Sequence, residues 1–169
     1  LAHFEEAILM TCPKYKDCGV PKILSYEEII ILNNIAGCYQ AMQKLQKAIH
    51  ILSLIKKHYE NGILNPEEVL RTQPMILYNL SKCLGLSGKY DECIEICDLG
   101  IRIARETGRC NFLERMLYNR AWSLSKRNHP GDMEQSKESA KLAFYMANAM
   151  GKLNSAEHYK HFIEKTFSS

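Results

Sequence analysis

The sequence predicts an all-α protein assembled from pairs of antiparallel helices. Three observations lead to this fold class. No segment alternates between apolar and polar residues over the length of a β-strand, signals that begin or end helices recur, and apolar and small residues repeat at a regular spacing. Stacked helix pairs of this kind bury apolar faces that no pair can bury alone.

Capping residues and glycines mark where the helices begin and end. Ser25 and Glu28 have the spacing of a capping box, and Asn65 is a cap followed by a proline in the first turn. Helix ends are predicted at Gly62, Gly88, Gly108 and Gly151. The predicted helices cover residues 2–12, 25–42, 44–61, 66–71, 74–87, 90–107, 111–127, 133–150 and 154–167. Apart from the short fourth helix and the flanking helices, they come as antiparallel pairs.

The composition is that of a globular protein without a nucleic-acid-binding surface. The 169 residues are enough for one domain, and the apolar fraction of 46% and charged fraction of 24% argue against disorder. Lysine and arginine are interleaved with acidic residues, and the net charge is only +3. A direct nucleic-acid interface usually has a clustered basic stripe, so DNA is not expected as a direct ligand of this chain.

The chain is expected to be cytoplasmic. No stretch approaches the roughly 20 apolar residues that cross a bilayer, and no secretion leader is recognisable, so no membrane partner is expected. Seven cysteines at irregular spacing indicate reduced thiols rather than a secreted disulfide framework. The sequence begins with leucine instead of methionine, and we therefore expect it to be a fragment of a longer protein.

An internal repeat organises the helix pairs. Its copies lie near 29–62, 74–108 and 114–150 within a single domain, 1–169, and a helix at 154–167 caps the array. Small residues recur at the repeat positions where helices must approach closely: Ala36, Ser81 and Ala121 in the first helices, and Ala48, Cys93 and Ala140 in the second. The third copy is the weakest, since Arg120 breaks its apolar pattern.

This register resembles a tetratricopeptide-type array, a right-handed α-solenoid with a concave groove. The segments "ILNNIAGCY", "ILYNLSKCLGLSGKYDECIEICDLGI" and "LYNRAWSLSKRNHPGDMEQSKESAKLAFYMANAMGK" are more specifically similar to a regulator subgroup. They resemble the C-terminal sensor domain of Gram-positive helix-turn-helix regulators, the RNPP and Rgg-like group. The resemblance implies a short linear peptide as ligand and DNA binding only through an N-terminal domain absent here. It also implies a possible homodimer.

Three asparagines are the first candidates for ligand binding. Asn34, Asn79 and Asn119 occupy the sixth position of their repeats, on the helix that lines the groove in the resembled arrays. An asparagine side chain offers both a donor and an acceptor to an extended peptide backbone. The other candidate groove residues are Tyr78, Lys82, Arg115, Tyr118 and Trp122. Two alternatives stay open: the asparagines can bond neighbouring helices, and the aromatic residues can simply belong to the core.

A stand-alone adaptor that binds a partner protein's tail is the alternative function. Tetratricopeptide proteins that hold a C-terminal carboxylate use a set of lysine, asparagine and arginine positions in three repeats. Asn79 and Arg115 match that set, whereas Asn33, Gly37 and Asn119 replace the expected residues. The clamp is incomplete, so the sensor interpretation is favoured.

No motif supports an enzyme, a metal site or a cofactor. The chain has no glycine-rich phosphate loop, nucleophile elbow or metalloprotease motif. Cys93 and Cys97 lie one helical turn apart, but both occupy packing positions and no second ligand pair follows them. Core thiols are the favoured interpretation, and no catalytic residue, metal or cofactor is expected.

Overall fold

The computed structural model describes residues 1–11, 24–61 and 65–167, and every regular element in these ranges is an α-helix. This confirms the predicted all-α class. The helices are α1 (Ala2–Thr11), α2 (Tyr26–Ala41), α3 (Leu45–Glu60), α4 (Pro66–Leu86), α5 (Tyr90–Thr107), α6 (Leu113–Arg127), α7 (Asp132–Ala149) and α8 (Leu153–Phe167). None of the helices in the described ranges combines the length and the apolar character that crossing a membrane requires. The chain forms two compact units, Leu1–Cys83 and Leu84–Ser169.

Helix α4 corrects one prediction. The sequence predicts two separate helices with a break before Pro74, whereas α4 runs through this proline. Proline removes a helical N–H and so favours a break. Here the Thr72 hydroxyl donates to the Glu68 carbonyl and accepts from the Tyr59 hydroxyl, both at 2.8 Å, which holds this turn of α4 to α3. Tertiary contacts of this buried segment outweigh the cost of the proline.

The predicted helix ends are confirmed at several positions. The Ser25 amide donates to the Glu28 carboxylate at 2.8 Å, and the Glu28 amide donates to the Ser25 hydroxyl at 3.2 Å, which completes the capping box at α2. Three of the four predicted terminator glycines have a left-handed backbone, which costs glycine little because it has no Cβ: Gly88, Gly108 and Gly151. The fourth, Gly62, lies outside the described residues.

The first unit, Leu1–Cys83, has an aliphatic core. Helix α1 packs on α2, α2 pairs with α3, and side-chain hydrogen bonds connect α4 to both. The fully buried members of this core include Ile8, Leu24, Ile29, Leu32, Ile35, Leu52, Ile55, Ile76 and Leu77. His58 is also buried, and its Nε2 accepts the Leu24 amide at 3.2 Å, which fixes the chain just before α2 on α3.

The second unit, Leu84–Ser169, stacks its helices in sequence order. Helix α6 packs on α5, α7 on α6, and α8 on α7. Small side chains allow these helices to approach closely: Ala121, Ala140, Ala143, Ala147 and Ala156 are all buried. Helix α8 contributes Ala156 and Tyr159 to a cluster with Leu117 of α6 and Ala143 and Ala147 of α7. The last helix therefore covers apolar surface of both α6 and α7.

The predicted small-residue register is confirmed by burial in both units. The six positions are each no more than 1% exposed: Ala36, Ser81 and Ala121 in the first helices, and Ala48, Cys93 and Ala140 in the second. The five cysteines that the structure describes are all free thiols, whereas Cys12 and Cys18 lie outside the described residues.

An arginine joins three helices of the second unit. Arg127 at the end of α6 donates two hydrogen bonds to Asp132 at 2.8 and 2.7 Å, and a third to Asp91 at 2.7 Å. Asp132 is 2% exposed. The hydrogen bond from Arg127 is the main reason that the pKa of Asp132 falls to about 2. This group connects the starts of α5 and α7 to the end of α6.

Candidate functional site

Asn79 is anchored to α2 by an asparagine that the site prediction did not include. Its Nδ2 donates to Oδ1 of Asn33 at 2.7 Å, and Asn33 Nδ2 in turn lies 3.6 Å from the sulfur of Met75. Asn33 is 7% exposed, so this is a buried polar contact between α2 and α4. The adjacent asparagines Asn33 and Asn34 were the sequence signal that could have identified this contact. Only one of two adjacent helical residues can face α4 directly, so the other faces elsewhere.

Asn34 and part of Asn79 have no hydrogen-bond partner among the described residues of the first unit. Asn34 is half-buried, and its side chain makes no hydrogen bond with any described residue of the first unit. Asn79 uses one N–H on Asn33, while its Oδ1 accepts no hydrogen bond from a described residue. The two amides therefore present unused donors and acceptors, which are the groups that pair with a peptide backbone.

Tyr78 and Lys82 lie one helical turn apart on α4, on either side of Asn79 in the sequence. Both are half-buried. Lys82 makes no ion pair with any residue that the structure describes in the first unit. Its charge opposes the burial that raises the pKa of the neighbouring Cys83 thiol to about 11. Within the described part of the first unit, Lys82 is thus a cation without a counter-ion.

Tyr118 is part of an aromatic cluster formed with α8. Its ring stacks on Tyr159 with centroids 4.6 Å apart and an interplanar angle of 21°. It also makes edge contacts with His158 at 5.0 Å and Phe162 at 5.4 Å. Burial raises the pKa of the Tyr118 hydroxyl. Tyr118 therefore packs on aromatic neighbours, as in the alternative that the sequence left open for the aromatic residues. It also stays one of the predicted ligand-binding residues.

The other predicted residues on α6 also have internal contacts. Trp122 meets the ring of Tyr90 edge to face at 5.8 Å, and Arg115 lies 3.6 Å from the carboxylate of Glu114. The main-chain carbonyl of Asn119 lies 4.0 Å from the Cys93 sulfur. Arg115, Tyr118 and Trp122 follow the three- and four-residue spacing that places side chains on one face of a helix.

Residues 8–165 match the model of the RNPP family C-terminal domain. The chain belongs to the RNPP family. The match covers nearly all of the sequence, including Asn33, Asn34 and Asn79 of the first unit and every predicted residue on α6. A search of curated proteins gave no match.

A solved structure supports the fold of this RNPP domain. The crystal structure of Bacillus thuringiensis PlcR in complex with the peptide PapR7 and DNA is similar, with a TM-score of 0.64 and 22% sequence identity. The likeness covers 90% of this chain and 53% of the PlcR chain, so this chain spans about half the length of that protein. The predicted tetratricopeptide-like helical fold is confirmed.

Proposed function

We propose that this RNPP domain binds a short linear peptide and is the sensor part of a transcriptional regulator. The PlcR structure contains both a peptide and DNA, and the present chain corresponds to about half of PlcR. DNA contacts are then assigned to another part of a longer parent protein. The domain acts by binding rather than by catalysis, and it works in the cytoplasm, where an intracellular regulator meets its DNA.

The unused amide groups of Asn34 and Asn79 carry this proposal. A peptide in extended conformation presents N–H and C=O groups along its length, and a helical surface has no strand edge to pair with them. The Asn33 contact holds the Asn79 side chain in one orientation, which reduces the entropy lost when a ligand binds. Oδ1 of Asn79 then accepts a peptide N–H, while Asn34 donates to a peptide carbonyl.

Lys82 and Tyr78 extend the proposed contact along α4. Because Lys82 lacks an internal counter-ion in the described part of its unit, a peptide carboxylate can pair with it without breaking an existing ion pair. Tyr78 offers a rigid ring that loses little entropy on contact. A ligand with an acidic side chain or a free C-terminus next to an apolar residue fits this pair.

Four residues on α6 are proposed as further peptide contacts, and the support for them is their repeat position: Arg115, Tyr118, Asn119 and Trp122. Tyr118 and Trp122 already pack on aromatic neighbours, so they would contribute rigid, pre-positioned surface. Variants of these four residues can be tested for peptide binding separately from variants of the first-unit residues.

The test measures melting temperature in the presence of pools of short peptides. A peptide at about 100 times its dissociation constant adds roughly 2.7 kcal/mol, which raises melting by several degrees. Asn34→Ala should remove most of this shift yet change the melting temperature of the free protein little, because the Asn34 side chain makes no hydrogen bond with a described residue of its unit. Gln46→Ala, an exposed change on α3, is the matched control and should keep the shift. No shift with any pool, or a shift unchanged in Asn34→Ala, contradicts the proposed site.

The regulator assignment has an independent test. The parent reading frame should encode a helix-turn-helix domain within roughly 60 to 100 residues upstream of Leu1, the room that such a module needs. A frame without one would favour the adaptor alternative even if a peptide binds.

A further inference from the structure

A cavity of about 450 Å³ lies within the second unit, among α5, α6 and α7. It is on the face of α6 opposite the proposed peptide contacts. Successive helical residues are about 100° apart, so Arg120, which lines the cavity, lies about 160° around the helix axis from Tyr118. The volume is within the range of about 300–1,000 Å³ that is typical of small-molecule sites.

The cavity has an apolar wall. Leu117 of α6 is 7% exposed, Ile101 of α5 is half-buried, and Leu142 of α7 is 52% exposed at the entrance. An exposed leucine on a helix is ordinary by itself. Three aliphatic side chains from three helices around one cavity, however, form a surface that an apolar ligand group can cover.

Arg120 provides a fixed cation in the cavity. Its guanidinium donates to Asp98 at 2.6 Å, Ser139 at 2.8 Å and Gln135 at 3.1 Å. The side chain is 18% exposed. This network explains why an arginine replaces the apolar residue of the repeat pattern, and it holds the charged group in place before any ligand arrives.

Two further arginines line the cavity. Arg102 and Arg105 are exposed on α5, three residues apart, and neither forms an ion pair or hydrogen bond with a residue described in the second unit. Glu138 on α7 is the remaining charged lining residue, and it too has no such partner. Since Asp98 is engaged by Arg120, the cavity holds two cations and one carboxylate that have no partner among the described residues.

We infer that this cavity binds a small organic anion whose apolar body lies on Leu117, Ile101 and Leu142 and whose charged group is held by Arg102 and Arg105. The shared ligand chemistry is a phosphate, sulfonate or carboxylate attached to an apolar group. Guanidinium groups bind such anions in a forked geometry. The inference does not depend on the proposed peptide site, because none of its residues belongs to that site.

Phenyl phosphate is a suitable probe, because it joins an aromatic ring to a dianion. Calorimetric titration of the protein should show saturable one-to-one binding. Phenol and inorganic phosphate, which each lack one half of the probe, should bind at least about tenfold more weakly. Arg102→Gln combined with Arg105→Gln should weaken phenyl phosphate binding by about tenfold or more, because the charge-assisted hydrogen bonds are lost. Both arginines are exposed and have no partner among the described residues, so this variant should melt as the wild type does.

Two single variants make the test specific. Glu138→Gln should strengthen binding, because it removes the unpaired carboxylate from the cavity. Lys141→Gln removes an exposed charge on the same helix outside the cavity lining, and binding should stay within about twofold of the wild type. The inference is overturned if phenyl phosphate fails to bind at millimolar concentration. It is equally overturned if inorganic phosphate binds as tightly, or if Lys141→Gln weakens binding as much as the double arginine variant.

Discussion

Removal of Lys152 should destabilise the second unit much more than neutralisation of its partner. The Glu114 side chain is fully buried, and its Oε1 receives the Lys152 ammonium at 2.5 Å. Its Oε2 accepts no hydrogen bond from any described residue. Arg115 lies farther away, at 3.6 Å from the same Oε1. Lys152→Met keeps the aliphatic stem but leaves a buried carboxylate without its main counter-ion.

The magnitude follows from burial on the two sides of this pair. Removing one member of a buried ion pair lowers the free energy of unfolding by about 3–5 kcal/mol. The Lys152 side chain is 34% exposed, so solvent screening places the cost of Lys152→Met near the lower end, at about 3 kcal/mol. Glu114→Gln should cost only about 1 kcal/mol, because the freed ammonium can turn to water. The double change Glu114→Leu with Lys152→Met should be close to neutral, since it removes both charges and the unpaired oxygen.

Urea unfolding followed by tryptophan fluorescence measures this difference. Trp122 is the single tryptophan of the chain and lies in the second unit, so its signal reports on the unit that contains the pair. The slope of free energy against urea should stay constant while the midpoint shifts. At about 2–4 °C per kcal/mol, Lys152→Met should melt about 6–12 °C below the wild type. Equal effects of Lys152→Met and Glu114→Gln, or a loss below about 1 kcal/mol for Lys152→Met, would refute this account of the buried pair.

Two other predictions test contacts elsewhere in the molecule. Asp132 has a pKa lowered from 3.8 to about 2, mainly by Arg127, so its stabilising effect is complete above pH 4 and is lost as the pH falls towards 2. Melting curves from pH 7 to 2 should show Asp132→Asn less stable at pH 7 and converging with the wild type near pH 2; a constant difference would contradict the linkage. Gly37→Ala should raise the free energy of unfolding by about 0.5–1 kcal/mol, because a Cβ at this position meets nothing within 4 Å. Gly85→Ala should gain less or lose stability, because a Cβ at this position comes within 3.3 Å of the Trp122 ring. Equal gains in urea unfolding would show that the ring moves freely.

The sequence predicts the stacking of this fold well because stacking depends on residue size at fixed spacing. Ala36, Ala48 and Ala140 are identified by the repeat alone, and each proves to be buried. The continuity of α4 through Pro74 was not predictable in the same way. Local preference favours a break there, and only the contact of Thr72 with Tyr59 across two helices shows what opposes it.

The candidate site is less predictable, because a repeat position gives the face of a helix but not the partner across from it. The register places Asn34 and Asn79 at the same position of their repeats but does not identify Asn33, to which Asn79 donates its hydrogen bond. The sequence leaves Tyr118 open between ligand contact and core packing, and the register does not identify Tyr159, on which its ring is stacked. Which side chains become partners depends on how neighbouring helices are shifted and rotated against each other. Shifts of a fraction of a helical turn change the partner, and sequence spacing does not determine them.

The contact between Asn33 and Asn79 changes how asparagine variants should be interpreted. The sequence left two alternatives, a bond to a neighbouring helix or contact with a ligand, and one amide can do both. Nδ2 of Asn79 holds α4 to α2, while Oδ1 accepts nothing from the described residues. Asn79→Ala would therefore leave the buried Asn33 oxygen unpaired, at a cost of about 1–3 kcal/mol, whether or not a peptide binds. A loss of stability in that variant cannot argue against ligand binding. The Asn34 side chain has no hydrogen bond to a described residue to lose, so its alanine variant separates peptide affinity from folding stability. Asn34→Ala is therefore the variant that decides whether the proposed site is correct.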